Sequence, residues 1–439
     1  MDYKQSVSYL YSLGHEVLAA KYRLESIRLL LARLGNPDRS FKSVVIAGTN
    51  GKGSVAAMIE SVAREAGHPT GLYTSPHLVR IQERIRVAGV EASEIEFARL
   101  ATEVREASET LVREGSLETV PTFFEQVTAA ALLHFHQTQV ELAVLEVGLG
   151  GRLDATNAVE RTLSVVTSID LDHQQTLGAT IEEIAREKAA IIVPGVRAVI
   201  GRQPHQAASD VLMRRCLEVN ALPVFANQPG HPTPSDQGRV TFDYDSTQSS
   251  YSRVMLGLRG RHQADNAAAA IEACEALNEL GFAIPREAIV RGLREVDWPG
   301  RLQWVASSPP LLLDGAHNPS GARALREYLI EFWAGPVTLV FGAMSDKDIE
   351  GMTNALFDLA TTVVLTRVRD QRAATGARLG KPALVRPANV IFTESVKQAL
   401  SWARSVTPPE GLIVLAGSLH LVGEVRGLID EENSQGAAG

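Results

Sequence analysis

The sequence predicts an α/β protein in two parts: a larger parallel-sheet domain that carries a phosphate-binding loop (P-loop), then a smaller Rossmann-like α/β domain. Three observations predict it. Apolar runs of strand length alternate with amphipathic runs of helix length almost from end to end, the pattern of a largely parallel sheet covered by helices. Residues 44–54 read VVIAGTNGKGS, a β-branched strand that stops at a glycine-rich turn bearing one lysine and then a hydroxyl. At 439 residues the chain is too long for one ordinary core.

Taken in order, strands are expected at 43–47, 70–74, 141–147, 163–168 and 196–200, and helices at 53–66, 94–113, 122–137, 180–192 and 205–219. From Pro223 to Leu258 the pattern turns short, polar and alternating, which predicts a small antiparallel excursion. The alanine-rich run 265–280 predicts a long helix, with a shorter one after Pro285. In the run DWPGR at 297–301 proline and glycine break the helical pattern, so residues 298–301 read as a linker between domains at 1–297 and 302–439. Strands at 302–313, 337–342, 361–366, 389–392 and 412–416 then alternate with helices, a second doubly wound domain. The closing SQGAAG is expected to fray.

Composition narrows the function. Apolar residues make up 45% of the chain and charged residues 21%, enough for a substantial core. A net charge of −8 with scattered Lys and Arg argues against a nucleic-acid binder that works through a basic surface. Cys216 and Cys274 each fall inside an expected helix without metal-ligand spacing and read as buried thiols. The polar opening does not read as a signal peptide, and no apolar run reaches spanning length. A soluble cytoplasmic monomer with small-molecule substrates is the expectation, with neither nucleic acid nor membrane as partner.

The chemistry gathers at strand ends. Glycines at 48, 51 and 53 let backbone N–H groups face an anion, Lys52 can reach outer phosphates, and the helix behind adds its positive dipole end. The spacing departs from G-x-x-x-x-G-K-[ST], because Ile46 holds the first glycine position and Gly53 separates Lys52 from Ser54. Glu146 closes an apolar strand, where a carboxylate is costly unless paired or metal-bound, and reads as a Mg²⁺ ligand. His173 alone would be a hydrogen-bonding loop residue, but three strands carry Ser54, Glu146 and His173 to one edge. Lys188 by itself reads as an ion-pair partner of Glu183 or Glu187 on its own helix. Ser75 adds a hydroxyl at a sheet edge, and Phe123 and Phe124 are core residues or the wall of a heterocycle site. In the second domain Asp314 is placed to accept from ribose hydroxyls, Arg301 to meet a phosphate or adenine across the cleft, and Ser418 to bind a carboxylate at a helix start.

In this order GTNGKGS, YTSPHL, PTFFE, LEVGLGGRLDATN, the DH of LDHQQTLG, REKA, HQADN, PGR, LDGAHNP, GAMSDKDI and AGSLH resemble the folylpolyglutamate synthase/dihydrofolate synthase family, a branch of the Mur ligase superfamily. The resemblance implies an ATP-dependent ligase that joins the carboxyl of a pteroate or folate to the amino group of glutamate. It implies ATP and Mg²⁺ as cofactors and allows a monovalent cation. By the same correspondence Thr49, Asn50, Gly51, Lys52, Gly53 and Ser54 hold ATP phosphates, with Asn266, Arg301 and Asp314 as further nucleotide contacts. Ser75, Glu146, His173 and a carboxylated Lys188 serve Mg²⁺, with Lys52, His173 and Lys188 nearest the chemistry. Thr122, Phe124, Asp154 and Ala155 line the pterin pocket, while His317 and Ser418 attend the incoming glutamate. Three segments depart from the family pattern: YRLES stands where GLER is common, RIRVAG lacks the usual polar residue before Gly89, and Ala190 replaces a glycine. The first bears on the N-terminal part of the pterin pocket.

Two alternatives are weaker. A Mur-type ligase acting on a UDP-sugar peptide usually carries a separate N-terminal UDP-binding domain, and a nucleotide switch needs an NKxD motif that SDKD at 345–348 does not supply.

Overall fold

The computed structural model describes residues 1–14, 24–380 and 389–437. The strand Lys42–Ala47 lies near the middle of an eight-stranded sheet, between Leu142–Glu146 and Leu163–Val166, both parallel to it. From one edge the order is Val90–Glu91, Ile85–Val87, Thr70–Tyr73, Leu142–Glu146, Lys42–Ala47, Leu163–Val166, Arg197–Ile200 and Leu222–Phe225. The first two of these form an antiparallel hairpin at the edge, and the other six run parallel. Because side chains alternate across a strand, Val44 and Ile46 pack with the helices Lys52–Glu65 and His262–Glu279. Val45 and Ala47 join the opposite core with the helices Glu94–Arg113 and Phe123–Gln137. Burial on both faces explains why these strands read as unbroken apolar runs.

Several elements differ from expectation for identifiable reasons. Leu222–Phe225 pairs parallel with Arg197–Ile200 and completes the large sheet, so the antiparallel excursion begins only at Thr233. Its three strands are Thr233–Pro234, Arg239–Asp245 and Ser250–Arg259. Leu222 and Phe225 are exposed at the sheet edge, which made the segment look unlike a core strand. The helix expected at 180–192 is Ile181–Ala189, for Pro194 lies just ahead and Ile191 and Ile192 turn into the core. The helix expected from 265 begins at His262. The C-terminal helix Leu419–Ala437 continues into the segment expected to fray.

The second large sheet has the order Gln303–Val305, Leu311–Leu313, Leu412–Ala416, Val337–Phe341, Thr362–Thr366, Asn389–Thr393. The single strand expected over 302–313 is a hairpin, because Pro309 and Pro310 interrupt it and reverse its first arm. The remaining strands are parallel, with one apolar cluster on each face. Cys216 and Cys274 are both free and buried. Among the described residues no helix is long and apolar enough to cross a membrane.

Candidate active site

The carboxyl end of Lys42–Ala47 feeds a turn that enters the helix Lys52–Glu65. Gly51 adopts φ 85°, and a Cβ there would stand 2.3 Å from Asn266 Oδ1, so both backbone and space demand glycine. The N–H groups of Thr49 and Asn50 do not face the cavity; they bond to the Ser168 carbonyl at 2.8 and 3.3 Å. Val55 N donates the first intrahelical bond, to Gly51 O, leaving the N–H groups at 52–54 as the orphan donors of a helix start. Lys52 Nζ folds back on the Gly48 and Thr49 carbonyls at 3.2 and 3.3 Å. Ser54 Oγ accepts from Gln263 Nε2 at 3.4 Å, and Asn266 Nδ2 donates to Gln263 Oε1 at 2.9 Å.

Beside this loop lie charges that burial disfavours. Glu146 is 5% exposed, and its Oε2 accepts from Ser75 N at 3.0 Å. Burial pushes its carboxyl up, against the pull of the Lys52 ammonium. Burial likewise lowers Lys52, while Glu146 and Asp172 oppose that shift. Lys188, also 5% exposed, donates from Nζ to the Gly48 carbonyl at 2.8 Å. Its ion-pair reading fails: Glu183 is spent on the capping box at Thr180, and Glu187 pairs with Arg152 at 2.9 Å. Burial, reinforced by the Lys52 charge, lowers Lys188 to about 7.

The second sheet reaches into the same place. Lys347 Nζ lies 2.6 Å from Asp172 Oδ1 and 2.9 Å from His173 Nε2. Asp172 Oδ2 accepts from Asn318 Nδ2 at 3.2 Å and faces His317 Nε2 at 3.5 Å. Burial alone would raise Asp172, but the His317 hydrogen bond and the Lys347 charge hold it far below the usual carboxylate range. Burial and Lys347 lower His173 to about 4. His173, which the resemblance gives to Mg²⁺, has its Nε2 against the Lys347 side chain in this structure.

The remaining candidates hold definite local positions. Thr122 caps the helix Phe123–Gln137 in a reciprocal box with Glu125. Phe124 tilts against Tyr73 at 6.0 Å and covers Gly148. Ala155 is buried. Asp154 Oδ2 accepts from Gly148 N and Leu149 N, both at 3.0 Å, while Oδ1 accepts from Thr156 N at 3.0 Å and Thr156 Oγ1 at 2.6 Å. That carboxylate braces the VGLGG turn at 147–151. Asp314 similarly accepts from Leu302 N and Ala316 N, each at 2.9 Å, and so braces the chain beside Arg301. His317 Nδ1 lies 2.8 Å from the Gly315 carbonyl, and Ser418 Oγ accepts from His420 N at 3.1 Å just before the helix Leu419–Ala437.

Every residue given a phosphate, metal, pterin or glutamate role from the sequence lines one cavity of about 730 Å³ between the two large sheets, whereas Phe123 is a core residue. Sequence reasoning gave no role to Asp172, Gln263, Lys347 or Arg372, which line it too. The motif SDKD was visible, but nothing local reveals that Lys347 meets Asp172, 175 positions away. Of the divergent YRLES segment, Tyr22 and Arg23 lie outside the described residues, and Leu24 opens the helix Leu24–Arg33.

The donor set suits a small hard cation that keeps phosphate and water ligands. It offers the buried carboxylate of Glu146 and the hydroxyls of Ser54 and Ser75, all lining the cavity. No group of three or more His, Cys, Asp or Glu among the described residues forms an all-protein cage.

Residues 46–274 match the Mur ligase middle domain, and residues 300–419 match the Mur ligase glutamate ligase domain. A probable bifunctional folylpolyglutamate synthase/dihydropteroate synthase of Haloferax volcanii is 36% identical over 97% of this chain, which spans about half (50%) of that relative's length. The dihydrofolate synthase/folylpolyglutamate synthase of Bacillus subtilis is 34% identical over 94% of this chain and 96% of its own. Escherichia coli FolC, solved in complex with DHPP and ADP, superposes with a TM-score of 0.84 at 33% identity, covering 98% of both chains.

Proposed function

The chain belongs to the Mur ligases, in the folylpolyglutamate synthase/dihydrofolate synthase branch, and from that premise we propose that it joins L-glutamate to dihydropteroate or a reduced folate with cleavage of ATP to ADP and phosphate. The observation that carries the reading is the shared cavity: phosphate loop, buried Glu146 and aromatic Phe124 lie on one side, His317 and Ser418 on the other. The E. coli relative, complexed with DHPP and ADP, supports both ligand classes.

Amide formation from a carboxylate needs a better leaving group than oxide. The substrate carboxylate attacks the γ-phosphorus of ATP, ADP leaves, and an acyl phosphate forms; the glutamate amine then displaces phosphate and loses a proton. Lys52, released from the carbonyls of its own loop, follows the phosphates, and the orphan N–H groups at 52–54 face them. Arg301 comes from the linker to the same cavity. His317 and Ser418 orient the incoming amino acid, and apposition of the two sheets keeps water from the acyl phosphate. Ser75, Glu146, His173 and a carboxylated Lys188 would hold Mg²⁺, which would supply charge to offset the transferred phosphoryl group. Were His173 to serve through Nε2, Lys347 would have to move off that atom.

We further read the chain as two domains divided at 298–301, acting as a monomer on small molecules alone. Turnover of ATP with glutamate, measured separately with dihydropteroate and with tetrahydrofolate, tests the function. ADP release that needs both partners, with product mass raised by one glutamyl unit, is expected for at least one of the two acceptors. ADP release indifferent to glutamate, or ligation only to a UDP-sugar peptide, would remove the reading.

A further inference from the structure

The run at 297–301 touches the phosphate loop as well as joining the sheets. The helix Arg286–Glu295 that precedes it lies flush on the loop's own helix: a Cβ on Gly292 would stand 2.5 Å from Val62 Cα, and Ser61 Oγ donates to Gly292 O at 2.9 Å. From that crossing the chain moves toward the first turn of Lys52–Glu65, where Trp298 meets Gly53. A Cβ on Gly53 would stand 2.9 Å from the indole Nε1, 3.2 Å from Cζ2 and 3.3 Å from Cε2. The guanidinium of Arg86, from the strand Ile85–Val87, lies over the same ring, 5.4 Å from its centroid. Trp298 also packs on the core that holds Val55, Met58 and Ile59. Beyond it the chain is pinned again: Gly300 O accepts from Gly315 N at 2.8 Å, and Leu302 N bonds to Asp314.

We propose that Trp298 is a positioning residue for the phosphate loop: its indole, seated on Gly53, fixes the turn bearing Lys52 and Ser54 relative to Arg301, three residues further along the same run. The extra glycine between lysine and hydroxyl, which sets this loop apart from G-x-x-x-x-G-K-[ST], is the flat surface the indole requires. Nucleotide phosphates then bind tightly only while the linker is docked. The inference rests on the proposed use of ATP, but its test does not depend on ligation.

The test is calorimetric binding of a non-hydrolysable ATP analogue to the full chain and to Trp298→Ala, Trp298→Phe, Gly53→Ala and the double variant Gly53→Ala/Trp298→Ala, with KM for ATP and for the pteroate acceptor measured alongside. Trp298→Ala should weaken the analogue by about tenfold, as loss of a supporting residue does at other sites, and raise KM for ATP with little change in KM for the acceptor. Trp298→Phe, which keeps a planar ring, should recover most of the loss. Gly53→Ala should weaken binding by forcing the indole away, and the double variant should lose less than the product of the single losses, because the new methyl enters space the indole leaves. Analogue affinity unchanged in Trp298→Ala, or multiplicative losses in the double variant, overturns the proposal. If Trp298→Ala does not fold, unchanged affinity in Gly53→Ala overturns it equally. A wild-type chain that binds the analogue while its variants bind equally well defeats this inference alone; one that binds no analogue defeats the proposed function with it.

Discussion

Lys188 sits where an ammonium is least at home, against the Gly48 carbonyl and inside the protein. With its pKa near 7, a large part is free amine at neutral pH, the form that adds CO₂ to give a carbamate and a proton. Lys188→Ala is therefore expected to lose ligation, and a short carboxylic acid in solution should restore part of it; full activity without the acid would rule the carbamate out. While unmodified, the same group makes stability depend on pH. Its folded pKa of about 7 lies below the ordinary lysine value of 10.5, so between these values the unfolded chain binds more protons and stability rises with pH. Melting at pH 7 and pH 9.5 should show a smaller rise for Lys188→Met than for the wild type. Glu146→Gln keeps an acceptor for Ser75 N but not the charge, so ligation should fall by at least about 100-fold with the melting temperature retained. At this scale the sequence was readable where a charge ends an apolar strand, as Glu146 does. It was silent about Lys347, whose partners come from another sheet.

Among elements, the turn after Leu142–Glu146 shows how a residue can line a cavity and still serve mainly as a brace. Both oxygens of Asp154 are engaged by donors of its own loop. Asp154→Ala leaves those donors without their acceptor and should cost about 2–4 kcal/mol of stability, read by denaturant unfolding, as well as raising KM for the pterin acid. A pure pterin contact would change KM and leave unfolding alone. Elements buried on both faces were legible because burial writes apolar runs into the chain, as in Lys42–Ala47. Those at margins were not. Leu222–Phe225 is an exposed edge, and the 302–313 hairpin is decided by two prolines inside one apolar run.

Across the whole molecule, the two large sheets meet through pairs that no local pattern encodes: Asn50 with Asn318, Asp172 with Lys347 and Arg261 with Glu331. Asp172 and Lys347 are each only 8% exposed at the side chain, so removing one partner leaves a buried charge. Lys347→Ala should cost about 3 kcal/mol at this interface. The measurable result is a larger radius of gyration in solution scattering without ligands, and a profile identical to wild type would count against it. Arg261→Ala, at an exposed pair, should change unfolding by less than about 1 kcal/mol. Only the seven residues 296–302 separate the helix Arg286–Glu295 from the strand Gln303–Val305, a tether of at most about 25 Å. On so short a leash each half meets the other at an effective concentration on the order of millimolar, whatever the dilution of the protein. Contacts too weak to hold two separate chains together can therefore close this cleft and still let go at every turnover.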